Sequence, residues 1–377
     1  MPKYNYRLRN TKETKETKET KETKETKNIF HFMKNLTACT LSVLLTLFLT
    51  ACGQSDKTSV DNASSEKVIA TQAATTNIGT NTEQNMSPSL PTVLVNNDWL
   101  IKYSDLENLH ILELGRTQEE FNSGHIPGAK FVDWRNDISD PDLPELYNVL
   151  PRGQFETLMS DLGITPESII VLYDSMLSRA ATRMYWTLKY YGHSNIKILD
   201  GGLSIWQNAD LELASITADQ QAPAIVKTTY KVTKIETLFL EKIDYLVANL
   251  SNDNLTVVDG RPFDQYTGDK PGKVVTTGKE HIRDGHIYGA QSVPWADNLR
   301  PDGTFKSPAE LTEIYAHHDI VNSGTVVTYC NEGLHAAMPW FVLHELLGFS
   351  DVRLYDSSMG EWANTFDTAM IKGEHCM

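Results

Sequence analysis

One pattern written twice governs what this chain of 377 residues can fold into. Ile170-Val-Leu-Tyr-Asp174-Ser-Met-Leu-Ser-Arg-Ala180-Ala aligns without a gap with Val326-Val-Thr-Tyr-Cys330-Asn-Glu-Gly-Leu-His-Ala336-Ala. The register holds onward, so that Gly192 matches Gly348, Asp200 matches Asp356 and Trp206 matches Trp362. Earlier in each copy stands Gly-His-Ile-x-Gly-Ala, at 124–129 and 285–290, closed by Trp134 and Trp295. The chain is long enough for two such units, each able to bury its own core. Only the second copy carries a thiol, because Asp174 stands where the second has Cys330.

Alternation of patterns within each copy predicts the architecture. In the first, residues 111–114, 129–131, 169–173 and 196–199 read as short β-branched or apolar strands, with helices at 118–122, 152–162 and 180–191. In the second, strands fall at 256–259, 290–293, 326–329 and 352–355, and helices at 308–316 and 336–347. Repeated strand–helix units imply an α/β fold of two tandem domains, each a mainly parallel sheet flanked by helices on both faces. In such sheets a reactive loop lies at the carboxyl end of a strand, where Cys330 falls.

Cys330 is placed to become a thiolate. The loop after it feeds a helix N-terminus, whose unpaired N–H groups and positive dipole end favour an anion and draw a thiol pKa downward. Gly333 lets the loop take a left-handed turn, so that successive amides can point at the sulfur. The competing reading is an inert buried cysteine. The repeated histidines His125 and His286 read as structural, since the copy without a nucleophile keeps one. Trp134, Trp206, Trp295 and Trp362 read as core or domain-interface packing. No metal-ligand spacing, phosphate loop or dinucleotide fingerprint stands where it would function, so neither metal nor cofactor is expected.

A formal net charge of −15 argues against a nucleic-acid partner. Residues 1–32 hold a Thr-Lys-Glu repeat, read as disordered or untranslated, with Met33 the favoured start. Residues 33–52 form a positive n-region and a short apolar h-region ending in Leu49-Thr-Ala-Cys52, which resembles a bacterial lipoprotein signal with Cys52 lipidated. An uncleaved membrane anchor is the alternative, and both place the protein in the cell envelope. Gly53 after the cysteine points to a periplasm-facing lipoprotein of the outer membrane. Residues 53–90 are polar and read as a flexible tether. Cys39 is lost with the signal and Cys52 modified, so Cys330 and the tail residue Cys376 are the free thiols, Cys376 read as dispensable.

These motifs carry a resemblance. Gly-His-Ile-x-Gly-Ala, the Tyr-Cys-(five residues)-Ala loop and Leu-Tyr-Asp-Ser-Ser-Met-Gly-Glu-Trp at 354–362 resemble the tandem-domain rhodaneses, that is, thiosulfate or 3-mercaptopyruvate sulfurtransferases. The resemblance implies a non-catalytic domain at 91–215, a linker at 216–235 and a catalytic domain at 236–377. It implies sulfur transfer from a small-molecule donor, through a Cys330 persulfide, to cyanide or a thiol, small or borne by a protein. The loop residues Asn331, Glu332, Gly333, Leu334 and His335 are the expected substrate contacts, their amides steadying the charged sulfur and His335 adding a hydrogen bond or a positive charge.

Donor choice stays open at this stage. Thiosulfate-preferring members carry basic residues after the cysteine and mercaptopyruvate-preferring members Gly-Ser-Gly, whereas here Asn331, Glu332 and Gly333 follow. A Glu332 carboxylate would repel a dianion by up to about 1 kcal/mol in solvated surroundings. Arg261, at the family's Asp-x-Arg position, is the compensating cation or else a structural partner of Asp259. Gln265 replaces a further family arginine, and Lys273 and Lys279 lie in a loop able to close over the site. Two other classes compete. Dual-specificity phosphatases of this fold need an arginine where Ala336 stands, and a non-catalytic persulfide carrier would need the cysteine but not rapid turnover.

Overall fold

The computed structural model describes residues 93–143, 146–217 and 224–374. The lipoprotein signal with Cys52, the tether and Cys376 lie outside the described residues.

The first half runs β1 (Leu94–Val95), α1 (Asn97–Tyr103), β2 (Leu109–Leu114), α2 (Gln118–Ser123), β3 (Ala129–Phe131), α3 (Arg152–Asp161), β4 (Ile169–Asp174), α4 (Arg179–Tyr190), β5 (Ile196–Leu199) and α5 (Gly202–Asn208). Its five strands pair parallel in the order β1-β5-β4-β2-β3. The second half runs β6 (Leu240–Glu241), α6 (Ile243–Asn249), β7 (Leu255–Asp259), α7 (Phe263–Thr267), β8 (His286–Ile287), β9 (Gln291–Ser292), α8 (Pro308–His317), β10 (Thr325–Tyr329), α9 (Ala337–Phe341), β11 (Val352–Tyr355), α10 (Ser358–Trp362) and β12 (Met370–Ile371). Its parallel sheet has the order β6-β11-β10-β7-β9, the same order with each strand replaced by its repeat counterpart. A short antiparallel pair joins β8 to β12.

Strand alternation sends the two faces of each sheet to different cores. Ile111, Val171, Tyr173 and Leu199 pack outward with Leu100, Leu203 and Trp206. Leu112, Leu114, Ile170 and Leu172 pack inward with Phe155 and Met184, in a core that continues through Trp340 and Phe341 to Val326 and Leu354 of the second sheet. A third core, with Tyr329, Tyr355 and Trp362, covers that sheet's far side. One apolar interior therefore spans both halves.

The expected strands and helices lie where the pattern put them, with boundary shifts of a residue or two. Three elements depart from the pattern. The edge strands β1 and β6 are two residues long, too short for a periodicity to register. The helix expected over 336–347 is α-helical only at Ala337–Phe341, and Val342–Leu346 widens into a π-helical turn, with Leu347 N donating to Val342 O at 2.9 Å. The linker is strapped to the first half rather than bridging through solvent: Thr228 N donates to Ser160 O at 3.0 Å, Val232 N to Glu156 Oε1 at 3.1 Å and Glu236 N to Tyr190 O at 2.8 Å.

The halves meet about a local dyad. Contacts link residues that are repeat counterparts of one another: Arg179 with His335, Tyr185 with Phe341 at 4.8 Å between ring centroids, and Lys189 Nζ with Glu345 Oε1 at 3.1 Å. Others come as reciprocal pairs. Asp356 Oδ2 accepts from Val149 N at 2.6 Å, and its counterpart Asp200 Oδ1 accepts from Phe305 N, the counterpart of Val149, at 2.9 Å. The dyad brings the loop after β4 against the loop after β10.

Candidate active site

β10 delivers Cys330 to the carboxyl edge of its sheet, and α10 clamps the loop that follows. Cys330 N and Gly333 N donate to Ser358 Oγ at 3.0 and 3.2 Å, while Met359 N and Gly360 N donate back to Cys330 O and Asn331 O at 3.0 and 2.7 Å. Gly333 sits at φ +82°, and a Cβ there would come within 2.7 Å of Asp356 O. Only glycine fits that left-handed, crowded position. The loop so formed turns the amides of Glu332, His335 and Ala336 onto the Cys330 sulfur.

The first half shows what such a loop is built to hold. Asp174, the counterpart of Cys330, accepts from Met176 N at 2.8 Å, Ser178 N at 2.9 Å and Ala181 N at 2.9 Å. Inward amides gather around a side-chain acid in both copies, so the loop is an anion cradle. In one copy a carboxyl group fills it; in the other a thiol does.

The expectation of a lowered thiol pKa is corrected by burial. Cys330 is 1 % exposed. Desolvation of its anion pushes the pKa up, Glu332 adds to that rise, and the loop amides pull against it without overcoming it. The cradle therefore favours an anion that arrives with or is formed from a ligand over a bare resting thiolate.

Glu332 also departs from expectation. It is fully buried rather than solvated, its Oε1 has no hydrogen-bond partner among the described residues, and Oε2 accepts from Thr276 Oγ1 at 3.3 Å. Burial, opposed by amides of Thr276 and Val275, raises its pKa to about 7, so it is no permanent negative charge at neutral pH. The loop containing Lys273 and Lys279 does close on the site, yet it does so through Val275 and Thr276 and leaves both lysines exposed.

Arg261 is committed to Asp259. Its Nη2 lies 2.6 Å from Asp259 Oδ2 and 2.8 Å from Gly285 O, and Tyr329 Oη donates to the same carboxylate at 2.7 Å. The nucleophile-free half repeats this group as Glu113, Arg116 and Tyr173. A structural role for the pair follows from that repetition, and Arg261 acts on Cys330 only as a nearby positive charge. Asn331 is held by Gln265 Oε1 at 2.9 Å and by His281 Nε2 at 3.1 Å, and Leu334 is core. His335 is buried against Trp295, its ring neutral because burial and Arg179 lower its pKa to about 3. It supplies no positive charge. His125 and His286 bind carbonyls of Phe121 and Tyr266 at 2.9 and 2.8 Å and stack on the same rings, in matching structural roles.

Residues of the first half complete the site. Arg179 Nη1 reaches His335 Nε2 at 3.1 Å and its guanidinium lies 4.8 Å from the Trp295 ring centre. Arg183 Nη1 binds Asp356 Oδ1 at 2.5 Å beneath Gly333. The sequence held one signal for Arg179, its register with His335 in the repeat. Nothing local marked Arg183, and Ser358 was marked only as part of the 354–362 motif, without a role. Among the described residues no group of three or more His, Cys, Asp or Glu side chains is placed to hold a metal ion.

Comparison with known proteins gives a family profile described as the rhodanese-like domain, matching residues 96–209 and 242–365. The sulfur carrier protein TtuD of Thermus thermophilus is 30 % identical over 284 residues, covering 75 % of this chain and 98 % of that one. A Saccharopolyspora erythraea protein named as a candidate thiosulfate sulfurtransferase is 33 % identical, covering 72 % of this chain and 93 % of that one. The crystal structure of SseA from Escherichia coli, titled as a 3-mercaptopyruvate sulfotransferase, superposes with a TM-score of 0.61 at 25 % identity over 71 % of this chain and 98 % of that one.

Proposed function

The chain belongs to the rhodanese family as a tandem-domain sulfurtransferase or sulfur carrier, and from that membership we propose that it moves a sulfane sulfur from thiosulfate, or secondarily 3-mercaptopyruvate, through a Cys330 persulfide to cyanide or a thiol. The observation that carries this reading is the ring of inward amides on the Cys330 sulfur at the end of β10. The Cys330 sulfur attacks the outer sulfur of the donor, an S–S bond forms, and the donor's own S–S or S–C bond breaks with its electron pair leaving on sulfite or on the pyruvate enolate, which takes up the proton given up by the thiol. The persulfide anion then lies in the cradle. Attack on its outer sulfur by cyanide or a thiolate returns the bonding pair to Cys330. Arg261 contributes field to the bound anion, and the loop from Asn331 to His335 contacts the donor.

Thiocyanate formation from cyanide, measured with each donor for the full chain and its Cys330→Ser variant, tests the reading. Cys330-dependent turnover with either donor supports it. A folded, reduced protein that takes up a persulfide yet releases it slowly to cyanide favours instead a carrier, the reading that the likeness to TtuD and the burial of Cys330 support.

We further infer from Leu49-Thr-Ala-Cys52 that Cys52 is lipidated and that residues 53–90 tether the enzyme to a membrane facing the periplasm. Cells expressing the Cys52→Ala chain should lose the protein from the detergent phase; equal partitioning of both forms would overturn this.

A further inference from the structure

The side chain of His335, like that of Glu332, is an expected contact whose hydrogen-bonding capacity is left half used among the described residues. Arg179 Nη1 lies 3.1 Å from His335 Nε2, and a guanidinium can only donate. Nε2 is therefore the acceptor, and the proton of the neutral ring sits on Nδ1. That Nδ1 is buried and has no partner among the described residues, in a side chain that is 7 % exposed. A buried N–H left unpaired costs about 1–3 kcal/mol. His335 closes the loop that begins at Cys330, and its backbone amide lies against the Cys330 sulfur.

We propose that Arg179, supplied by the nucleophile-free half, fixes His335 as the Nδ1–H tautomer, and that this N–H binds the anionic oxygen group of the sulfur donor. Arg179 is well held for the task. Its Nε donates to Met176 O at 2.8 Å, its plane lies over Trp295, and it forms no ion pair among the described residues. The Trp295 ring in turn packs 5.6 Å from the His335 ring. The two residues are repeat counterparts that meet on the dyad, so the copy without a thiol supplies the group that orients the other copy's imidazole. His335 is then a substrate-binding residue and Arg179 a positioning residue. The neutral ring keeps its donor at every working pH, since its pKa lies at about 3. The donor-binding half of this inference rests on the sulfurtransferase reading; the tautomer does not.

Two measurements on the full chain separate them. In Cys330→Ser protein labelled with ¹⁵N-histidine, the His335 ring should show Nδ1–H and bare Nε2, retained in Arg179→Lys and lost or mixed in Arg179→Met. Adding thiosulfate, or pyruvate as a carboxylate probe, should shift the Nδ1–H resonance. In turnover, His335→Asn places an amide near the Nδ1 position and should keep most of kcat/KM, whereas His335→Gln, which mimics Nε2, should lose about ten- to a hundredfold, mainly through KM. An Nε2–H tautomer in the unsubstituted ring overturns the role of Arg179. An Nδ1–H resonance unmoved by both anions, or His335→Gln equal to His335→Asn, overturns the donor-binding role. Absent turnover with an intact tautomer and anion shift would overturn the sulfurtransferase reading alone.

Discussion

Glu332 is an acid that the fold keeps from water, and its pH dependence follows. Its folded pKa of about 7 stands above the ordinary 4.5, so the unfolded chain ionises first as pH rises. The carboxyl group weighs nothing against folding below the ordinary value; stability then falls through the interval between the two values and levels off above the folded one. A shift of that size is worth on the order of 3 kcal/mol. Glu332→Gln should thus melt at a higher temperature than the unsubstituted protein at pH 8, with the gap closing at pH 4.5; an equal gap at both would refute the shift. At this scale Cys330 and its glycine were legible, because a strand, a thiol and a positive-φ turn are local facts. The burial that raises the Cys330 and Glu332 pKa values was not, since it exists only in the folded chain, where Thr276 from a distant loop lies against Glu332. Arg261 stands between: its ion pair with Asp259 was one of two readings, the Glu113–Arg116 pair repeats it in the first half, and its charge still bears on Cys330.

The loop between β10 and α9 depends on its glycine and on α10 together. Gly333→Ala would force a side chain into a left-handed residue with Asp356 O at 2.7 Å, at a cost of about 2 kcal/mol or more. The expected result is a lower denaturation midpoint with persulfide formation lost or greatly slowed, read by thiol titration after incubation with donor; unchanged persulfide formation would show that the amides need not point inward. The long central strands could be read because apolar and β-branched residues dominate them. The edge strands β1 and β6 could not, since two residues paired to a buried neighbour leave no pattern of their own. The short helix α10 was visible as a motif, Ser-Ser-Met-Gly-Glu-Trp, but not as the clamp on the catalytic loop, a role that exists only once β11 lies beside β10.

Across the whole molecule the two halves share one interior, and Arg183 is its most exacting member. The Arg183–Asp356 pair is buried on both sides, so removing one partner strands the other charge, at about 3–5 kcal/mol. Arg183→Met should lower the melting temperature and split a single cooperative unfolding transition, seen by calorimetry, into two; one transition at an unchanged temperature would mean that the halves are joined by apolar packing alone. The repeat in the sequence disclosed two units but not their docking, because Tyr185 and Phe341, or Asp200 and Phe305, become neighbours only in three dimensions. The dyad relating them is the symmetry of a paired assembly. Contacts between counterpart residues are those of a symmetric homodimer, in which two identical subunits would each offer a nucleophile and each brace the other's loop. Joining such subunits in one polypeptide guarantees that every catalytic copy meets exactly one helper, and so frees the helper from catalysis. Asp174 in the place of a thiol then leaves the first half one task, to brace the loop that carries Cys330.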